Sequence, residues 1–200
     1  MSAVSIVSPP VSVKGGSVVV GIDEAGRGAL AGPVVAAACV LPAGIVPPVR
    51  IADSKQMSPA ERKASFDWII DHCLCGLGVM AASDVDRIGI LAATECAMQA
   101  AVAEIAQRTK PLYLLIDGRD AFWFDHPHSS IVKGDQLEPC ISAASIIAKV
   151  SRDKIMTDLD KAFPDYGFAG HKGYGTAAHF AAVNKKGFCP HHRRTFFDAR

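Results

Sequence analysis

Val18-Val19-Val20-Gly21-Ile22-Asp23-Glu24-Ala25-Gly26-Arg27-Gly28 is the stretch on which the reading of this chain turns. Its β-branched opening, Val18 to Ile22, predicts a strand, and the apolar run stops at Asp23. After the glycine-rich turn, Val34 to Leu41 predicts a second strand. An acid just beyond a buried run lies where a strand leaves the core and its end faces solvent, a position that ligand sites in open α/β sheets favour. The same context recurs twice: Asp117 follows Leu-Tyr-Leu-Leu-Ile, and Asp135 follows Ile-Val-Lys-Gly. Glu24 adds a fourth carboxylate. Adjacent side chains on a strand point to opposite faces, so Glu24 needs the turn at Gly26 to bring it round.

Grouped like charges cost free energy unless cations neutralise them. Hard oxygen ligands without Cys or His select Mg²⁺ or Mn²⁺ over zinc. Two such ions about 4 Å apart can activate water and stabilise the leaving oxygen in phosphodiester hydrolysis. From the residues alone, separate surface turns or helix caps remain an equal reading of the acids.

Around these positions the chain is read as an α/β sheet of mixed pairing. Residues 1–15 form a flexible leader. Ser58-Pro59-Ala60-Glu61 starts a helix, with serine as N-cap and glutamate positioned to close a capping box. Leu77 to Ala82 is a third strand, and Val85 to Arg108, alanine-rich and free of proline, one long helix that Pro111 stops. Leu112 to Ile116 and Ile131-Val132 precede Asp117 and Asp135. Ile141, Ala144, Ala148, Ile155, Leu159 and Ala162 mark one face of a helix ending at Pro164, and Ala177 to Asn184 is a further helix. The expected division is a catalytic domain over 16–163 and a helical, basic, substrate-binding extension over 164–200.

The 200 residues carry a net charge of only +1, but unevenly. Residues 171–200 hold six basic side chains against one acid, leaving the first 170 residues at −4. A basic end beside an acidic body suits an enzyme that grips phosphates at one place and metals at another, although a solvated tail gives the same count. The six cysteines are scattered without C-x-x-C spacing, so reduced thiols in a cytoplasmic protein are expected. Cys189 with His191 and His192 lacks the second half of a zinc site. Gly28 to Val49 is uncharged, but its prolines argue against a membrane span, and no signal peptide is evident.

The series Gly21-Ile22-Asp23-Glu24-Ala25-Gly26-Arg27-Gly28, Gly32-Pro33-Val34-Val35, Asp53-Ser54-Lys55, Leu115-Ile116-Asp117-Gly118 and Lys133-Gly134-Asp135 resembles the motifs of bacterial ribonuclease HII, in the type 2 ribonuclease H family. The match continues through Ile141 to Val150, Arg152-Asp153, Tyr166-Gly167-Phe168, His171 to Thr176 and His192-Arg193-Arg194, in the family's order and spacing, over about residues 18–197. The resemblance implies a ribonuclease H-like mixed sheet with helices on both faces and a helical C-terminal extension. It implies an endonuclease that cuts the RNA strand of RNA–DNA hybrids, including single ribonucleotides within duplex DNA, leaving 3′-hydroxyl and 5′-phosphate ends. Asp23, Glu24, Asp117 and Asp135 then correspond to the metal ligands, with two divalent ions during catalysis. Gly26-Arg27-Gly28 corresponds to the backbone segment that contacts the junction between a ribonucleotide and the next deoxyribonucleotide, and Tyr174 to the junction-sensing tyrosine. Glycine lets the chain approach closely enough to test for a 2′-hydroxyl. Ala29 departs from a frequent proline, and Gln136 to Cys140 shows no particular agreement; neither touches a ligand.

Lys55, Lys149 and Lys172 are candidate phosphate contacts, with an exposed solubilising role as the alternative. Asp153, four residues after Lys149, is read as its ion-pair partner on the helix, or else as a group that orders the metal site. Trp68 and Trp123 are read as packing residues, and His171, His191 and His192 receive no chemistry. A monomer with no evident replication-clamp partner is expected. The competing readings are a ribonuclease H that needs several consecutive ribonucleotides, or a different nuclease on the same fold, and a non-catalytic hybrid-binding module.

Overall fold

The computed structural model describes residues 13–14, 17–44, 46–110 and 112–198. The sheet is mixed, in the order β4-β3-β2-β5-β6. Central β2 (Ser17–Ala25) pairs antiparallel with β3 (Val34–Val40) and parallel with β5 (Leu112–Asp117). β4 (Leu74–Met80) continues antiparallel from β3, and β6 (His128–Ile131) parallel from β5. Within the segment 1–15 expected as a flexible leader, Val13–Lys14 forms a short strand, β1, paired with Val18 and Ser17; the rest of that segment lies outside the described residues.

Side-chain alternation sorts β3 cleanly. Ala36, Ala38 and Val40 pack with α3 (Ile90–Ala106) on one face, and Ala37 and Cys39 pack with α5 (Pro139–Ala162) and α1 (Pro59–His72) on the other. α3 lies close on the sheet because β4 has no side chain at Gly76 and Gly78, where a Cβ would meet the carbonyls of Ala101 and Ala97. α1 begins as its sequence predicts: Ser58 Oγ accepts from Glu61 N at 3.2 Å, and Glu61 Oε2 accepts from Ser58 N at 2.8 Å.

Several boundaries differ from the sequence reading. The helix expected over Val85–Arg108 is two, α2 (Ala82–Ile88) and α3, broken at Gly89, whose φ of +81° ends the first. β4 starts at Leu74 rather than Leu77, its glycines having concealed the strand pattern. β2 and β5 do not stop at their last apolar residue but run through Asp23 and Asp117, because ladder pairing carries the backbone further than hydrophobic burial does. Asp135 sits one turn later than a strand end, in α4 (Gly134–Leu137).

The first two turns of α5 are buried on all sides, Cys140 through Ala148; beyond them the buried stripe narrows to Arg152 and Met156. Ile155 and Leu159 are only half-buried and Ala162 is exposed, so the face inferred from apolar spacing holds only as far as Ala148; beyond it the buried positions are Arg152 and Met156, the first of them charged. Past Pro164 come α6 (Phe168–His171), α7 (Ala177–Lys186) and α8 (Thr195–Asp198). Tyr166, Phe168 and Cys189 form a satellite core with Met156 of α5 and Ala31 of the β2–β3 loop, which ties this segment to that loop. Among the described residues, no helix is long and apolar enough to cross a membrane.

Candidate active site

The period of two also explains how the acids meet. Ile22 and Ile116 are partners across the parallel β2–β5 ladder, and both face α3. One residue further on, Asp23 and Asp117 therefore both turn to the α5 face, on neighbouring strands. α4 brings in Asp135, whose backbone N–H donates to Asp117 Oδ1 at 3.3 Å. One carboxylate oxygen from each of Asp23, Asp117 and Asp135 lies within 4.8 Å of the others.

Asp23 and Asp135 are only 4 % exposed. Burial, and then the charges of Glu24 and Asp117, push the Asp23 carboxyl well above the carboxylate range, against hydrogen bonds from the Ser145 hydroxyl and the Glu24 backbone. Burial, followed by Asp117 and Asp53, raises Asp135, with Lys55 opposing. The Lys55 ammonium stands 3.7 Å from Asp135 Oδ2 on a largely exposed side chain, so it screens the cluster weakly.

Glu24 does not join the three. β2 continues to Ala25, so Glu24 is still within the strand and leaves the pleat on the other side from Asp23, yet at the strand's end it borders the same pocket. Its carboxylate accepts from Arg27 Nη1 at 3.3 Å, and the same nitrogen donates to Asp120 Oδ2 at 2.8 Å. Burial raises the Glu24 carboxyl, and Arg27 works against that.

A single pocket is lined by Asp23, Glu24, Gly26, Arg27, Gly28, Lys55, Lys149 and Tyr174, together with Ser54 and Ser145. Lys149 reaches it while paired to Asp153 at 2.8 Å, the i,i+4 ion pair read from the sequence. Lys172 is elsewhere. Its ammonium donates to Thr157 Oγ1 at 3.0 Å and to the Ala169 carbonyl at 2.7 Å, so it is held against α5 rather than offered to the pocket. What Lys172 contributes is its own carbonyl, which accepts from Arg152.

The sequence reading missed two buried arginines beneath the Gly26–Pro33 loop. Arg152, fully buried, donates to the carbonyls of Pro33 (2.9 Å), Lys172 (3.0 Å) and Ala31 (3.1 Å), and its guanidinium lies 5.2 Å from the Tyr174 ring centroid. Arg193, also fully buried, donates to Gly32 (3.0 Å), Gly26 (2.8 Å) and Arg27 (2.9 Å). Burial pushes the Arg193 guanidinium down to about 10, so it stays charged at neutral pH. Counting charge by segment had assigned Arg193 to a phosphate-gripping surface; its fixed fork instead shapes the loop from within. Ser54 and Ser145 were also missed: they hydrogen-bond at 2.9 Å, and Ser145 reaches Asp23. Asp53 was missed as a buried acid; it accepts from Lys55 N, Gln56 and Gln136, fixing the loop that carries Lys55. Their motif membership was visible, their roles were not.

The two loop glycines differ. Gly26 has φ +95°, and a Cβ there would run into the Arg152 side chain, so the fold itself requires glycine. Gly28 is exposed, has no such φ, and a Cβ there would meet nothing within 4 Å. Among the described residues, nothing around position 28 requires glycine.

Comparison with known proteins bears on this geometry directly. The family described as ribonuclease HII matches residues 20–199. Ribonuclease HII of Paracidovorax citrulli is 50 % identical over 179 residues, covering 89 % of this chain and 73 % of the relative. That of Geotalea uraniireducens is 50 % identical over 184 residues, covering 92 % and 84 %. Among solved structures, ribonuclease H2 from Pyrococcus horikoshii superposes with a TM-score of 0.70 at 26 % identity, over 88 % of this chain and 92 % of that one. The Archaeoglobus fulgidus RNase HII, solved in complex with PCNA, gives the same score and identity. The chain belongs to the ribonuclease HII family, and it is a metal-dependent ribonuclease.

Proposed function

We propose that this enzyme hydrolyses the RNA strand of RNA–DNA hybrids and cuts at single ribonucleotides embedded in duplex DNA, leaving 3′-hydroxyl and 5′-phosphate ends. The observation that carries the reading is one pocket that sets Asp23, a member of the acidic cluster, and Glu24 beside the Gly26–Gly28 loop and Tyr174. Hydrolysis alone needs only the acids; a sugar-reading loop beside them supplies selectivity.

The cluster suits a hard divalent cation. Three carboxylates crowd together, two of them buried, and the Lys55 ammonium beside Asp135 is largely exposed, so their ionised forms gain most from Mg²⁺ or Mn²⁺. Asp23, Asp117 and Asp135 would hold the metal, with Glu24 as fourth ligand once released from Arg27. When bound, two such ions activate water and neutralise charge on the leaving oxygen. The protein's own groups do the rest. Ser145 and Ser54 fix the Asp23 carboxylate, and the Asp135 backbone N–H orients Asp117. Arg27, freed from Glu24, remains close enough to hold a phosphate. The backbone at Gly26 and Gly28 reads the 2′-hydroxyl, which plain DNA lacks, and the Tyr174 ring packs on the adjoining deoxyribose.

The test is incubation with a DNA duplex bearing one ribonucleotide, an RNA–DNA hybrid and an all-DNA duplex, with and without Mg²⁺ or Mn²⁺. Metal-dependent cleavage of the first two, with the all-DNA duplex intact, is the expected result; equal cutting of all three refutes the reading. Tyr174→Ala should lower kcat/KM on the single-ribonucleotide duplex tenfold or more, and Tyr174→Phe less, since one lost hydrogen bond costs about 1 kcal/mol. If Tyr174→Ala cuts both RNA-containing substrates at the wild-type rate, Tyr174 is a packing residue.

A further inference from the structure

Beneath Tyr174 lies a chain of histidines whose protons can be assigned. His192 Nδ1 accepts from the Cys189 backbone N–H at 3.0 Å. His192 Nε2 faces His179 Nε2 at 3.1 Å, and His179 Nδ1 lies 3.0 Å from the Tyr174 carbonyl. A backbone N–H can only donate, so His192 Nδ1 is the bare nitrogen and its proton is on Nε2. That proton points at His179 Nε2, which must then be bare, and His179 carries its own proton on Nδ1, donated to Tyr174 O. The reverse arrangement has His192 Nδ1 donating to the Cys189 carbonyl at 3.3 Å. It leaves Cys189 N–H unpaired and sets a bare nitrogen against the Tyr174 carbonyl. With His192 Nδ1 accepting from Cys189 N–H and His179 Nε2 accepting from His192, each ring carries one proton in this geometry. His179 and His192 are both buried, and His171 stacks on His179 at 4.4 Å, which fixes the ring plane.

We infer that His179, held in its Nδ1–H tautomer by His192, is the positioning residue that sets the Tyr174 backbone and thereby aims its ring into the pocket. This rests on the reading of Tyr174 as the junction sensor. The Tyr174 carbonyl also accepts from Thr176 N at 2.8 Å, and its own N–H donates to the His171 carbonyl at 2.9 Å. His179 adds a bond from a residue outside the 171–176 turn, connecting the pocket to the chain near Cys189 and His192.

Two measurements test it. Long-range ¹H–¹⁵N spectra of the imidazoles should show His179 as Nδ1–H and His192 as Nε2–H at neutral pH; His179 as Nε2–H overturns the inference whatever the enzyme cuts. Asparagine places an amide N–H where His179 has Nδ1, and leucine places none. His179→Leu should lower kcat/KM on the single-ribonucleotide duplex roughly five- to tenfold, with His179→Asn within about twofold of wild type, although both lose the His192 bond and melt at similarly reduced temperatures. Activity that tracks melting temperature alike in the two variants overturns the inference. Wild-type enzyme inert on that duplex would instead refute the junction reading, leaving the tautomer measurement to decide the relay.

Discussion

Two buried charge clusters flank the Gly26–Pro33 loop, and they are completed in opposite ways. On one side, Arg152 and Arg193 are fully buried with no carboxylate partner among the described residues, yet six backbone carbonyls accept from them and only Arg193 Nη2 is left without an acceptor there. On the other, Asp23, Asp117 and Asp135 crowd like charges that the protein's own cations barely offset. A cluster paired almost wholly from within builds a shape. A cluster left unsatisfied is an invitation to a ligand, kept in place by a fold that bears the cost.

The sharpest way to break this contrast is to remove charge from each side. Asp117→Asn keeps the shape and should abolish cleavage, by about a thousandfold or more, since metal ligation supplies several kcal/mol to the transition state. Binding of the single-ribonucleotide duplex, measured by anisotropy, should survive. Unchanged turnover in Mg²⁺ removes Asp117 from the metal site.

Arg152→Met should do the converse, leaving the acids in place while three carbonyls lose their donor. Unsatisfied buried acceptors cost about 1–3 kcal/mol each before relaxation, so urea unfolding should show a loss of about 3 kcal/mol. A loss below about 1 kcal/mol would mean that the loop holds its shape without Arg152.

The same contrast marks what the sequence made legible. The acids stood out because each follows an apolar run, and β2–β5 pairing needed only the period of two to bring Asp23 and Asp117 together. Glu24 stands apart from the trio because the β2 ladder continues to Ala25, past the end of the hydrophobic run that the sequence marks. The arginines were invisible for a different reason: a charged side chain in an otherwise apolar stripe is taken as an interruption, and nothing local reveals the carbonyls from residues 26–33 that would satisfy it. Contacts separated by more than a hundred residues leave no periodic trace. Gly89 was overlooked because alanine-rich flanks outweighed one glycine.

The loop between the clusters gives the next test. Gly28→Ala meets open space at an ordinary φ, so it should leave the melting temperature unchanged or slightly raised, yet reduce cleavage of the single-ribonucleotide duplex about tenfold by keeping the backbone from the sugar. Gly26→Ala should instead lower stability, by collision with Arg152. Equal activity in Gly28→Ala and wild type would remove this position from substrate recognition.

The acids and the histidines of the C-terminal segment predict opposite responses to pH. Asp23, Glu24 and Asp135 have raised folded values, so their stabilising contribution is complete at acid pH, below the ordinary carboxylate range, and is lost as pH rises through those values. His179, His191 and His192 are lowered by burial, His179 from 6.5 to about 4; their contribution is complete above 6.5 and is lost as pH falls toward the folded values. In chelator, Asp135→Asn should therefore melt higher than wild type at pH 7, and the gap should close on adding Mg²⁺. A lower melting temperature for Asp135→Asn in chelator would show that the acids do not strain the fold.

The smallest expected effect concerns the basic end, whose +5 suggested a broad phosphate grip. The structure narrows that surface. Arg193 is buried, the Lys172 ammonium is held by Thr157 and Ala169, and Lys186 pairs with Asp165 at 2.8 Å. Lys185 and Arg194 remain exposed. Each phosphate contact releases about one counterion, so replacing either residue by alanine should lower the slope of log affinity against log salt by roughly one. Between 50 and 200 mM salt that amounts to about a fourfold change, readable by anisotropy titration on duplexes of unrelated sequence. Neutralising Lys186 should change the slope less, because Asp165 already offsets its charge. If all three substitutions leave the slope unchanged, the phosphates are gripped elsewhere, with Arg27, Lys55 and Lys149 around the pocket as the remaining cations.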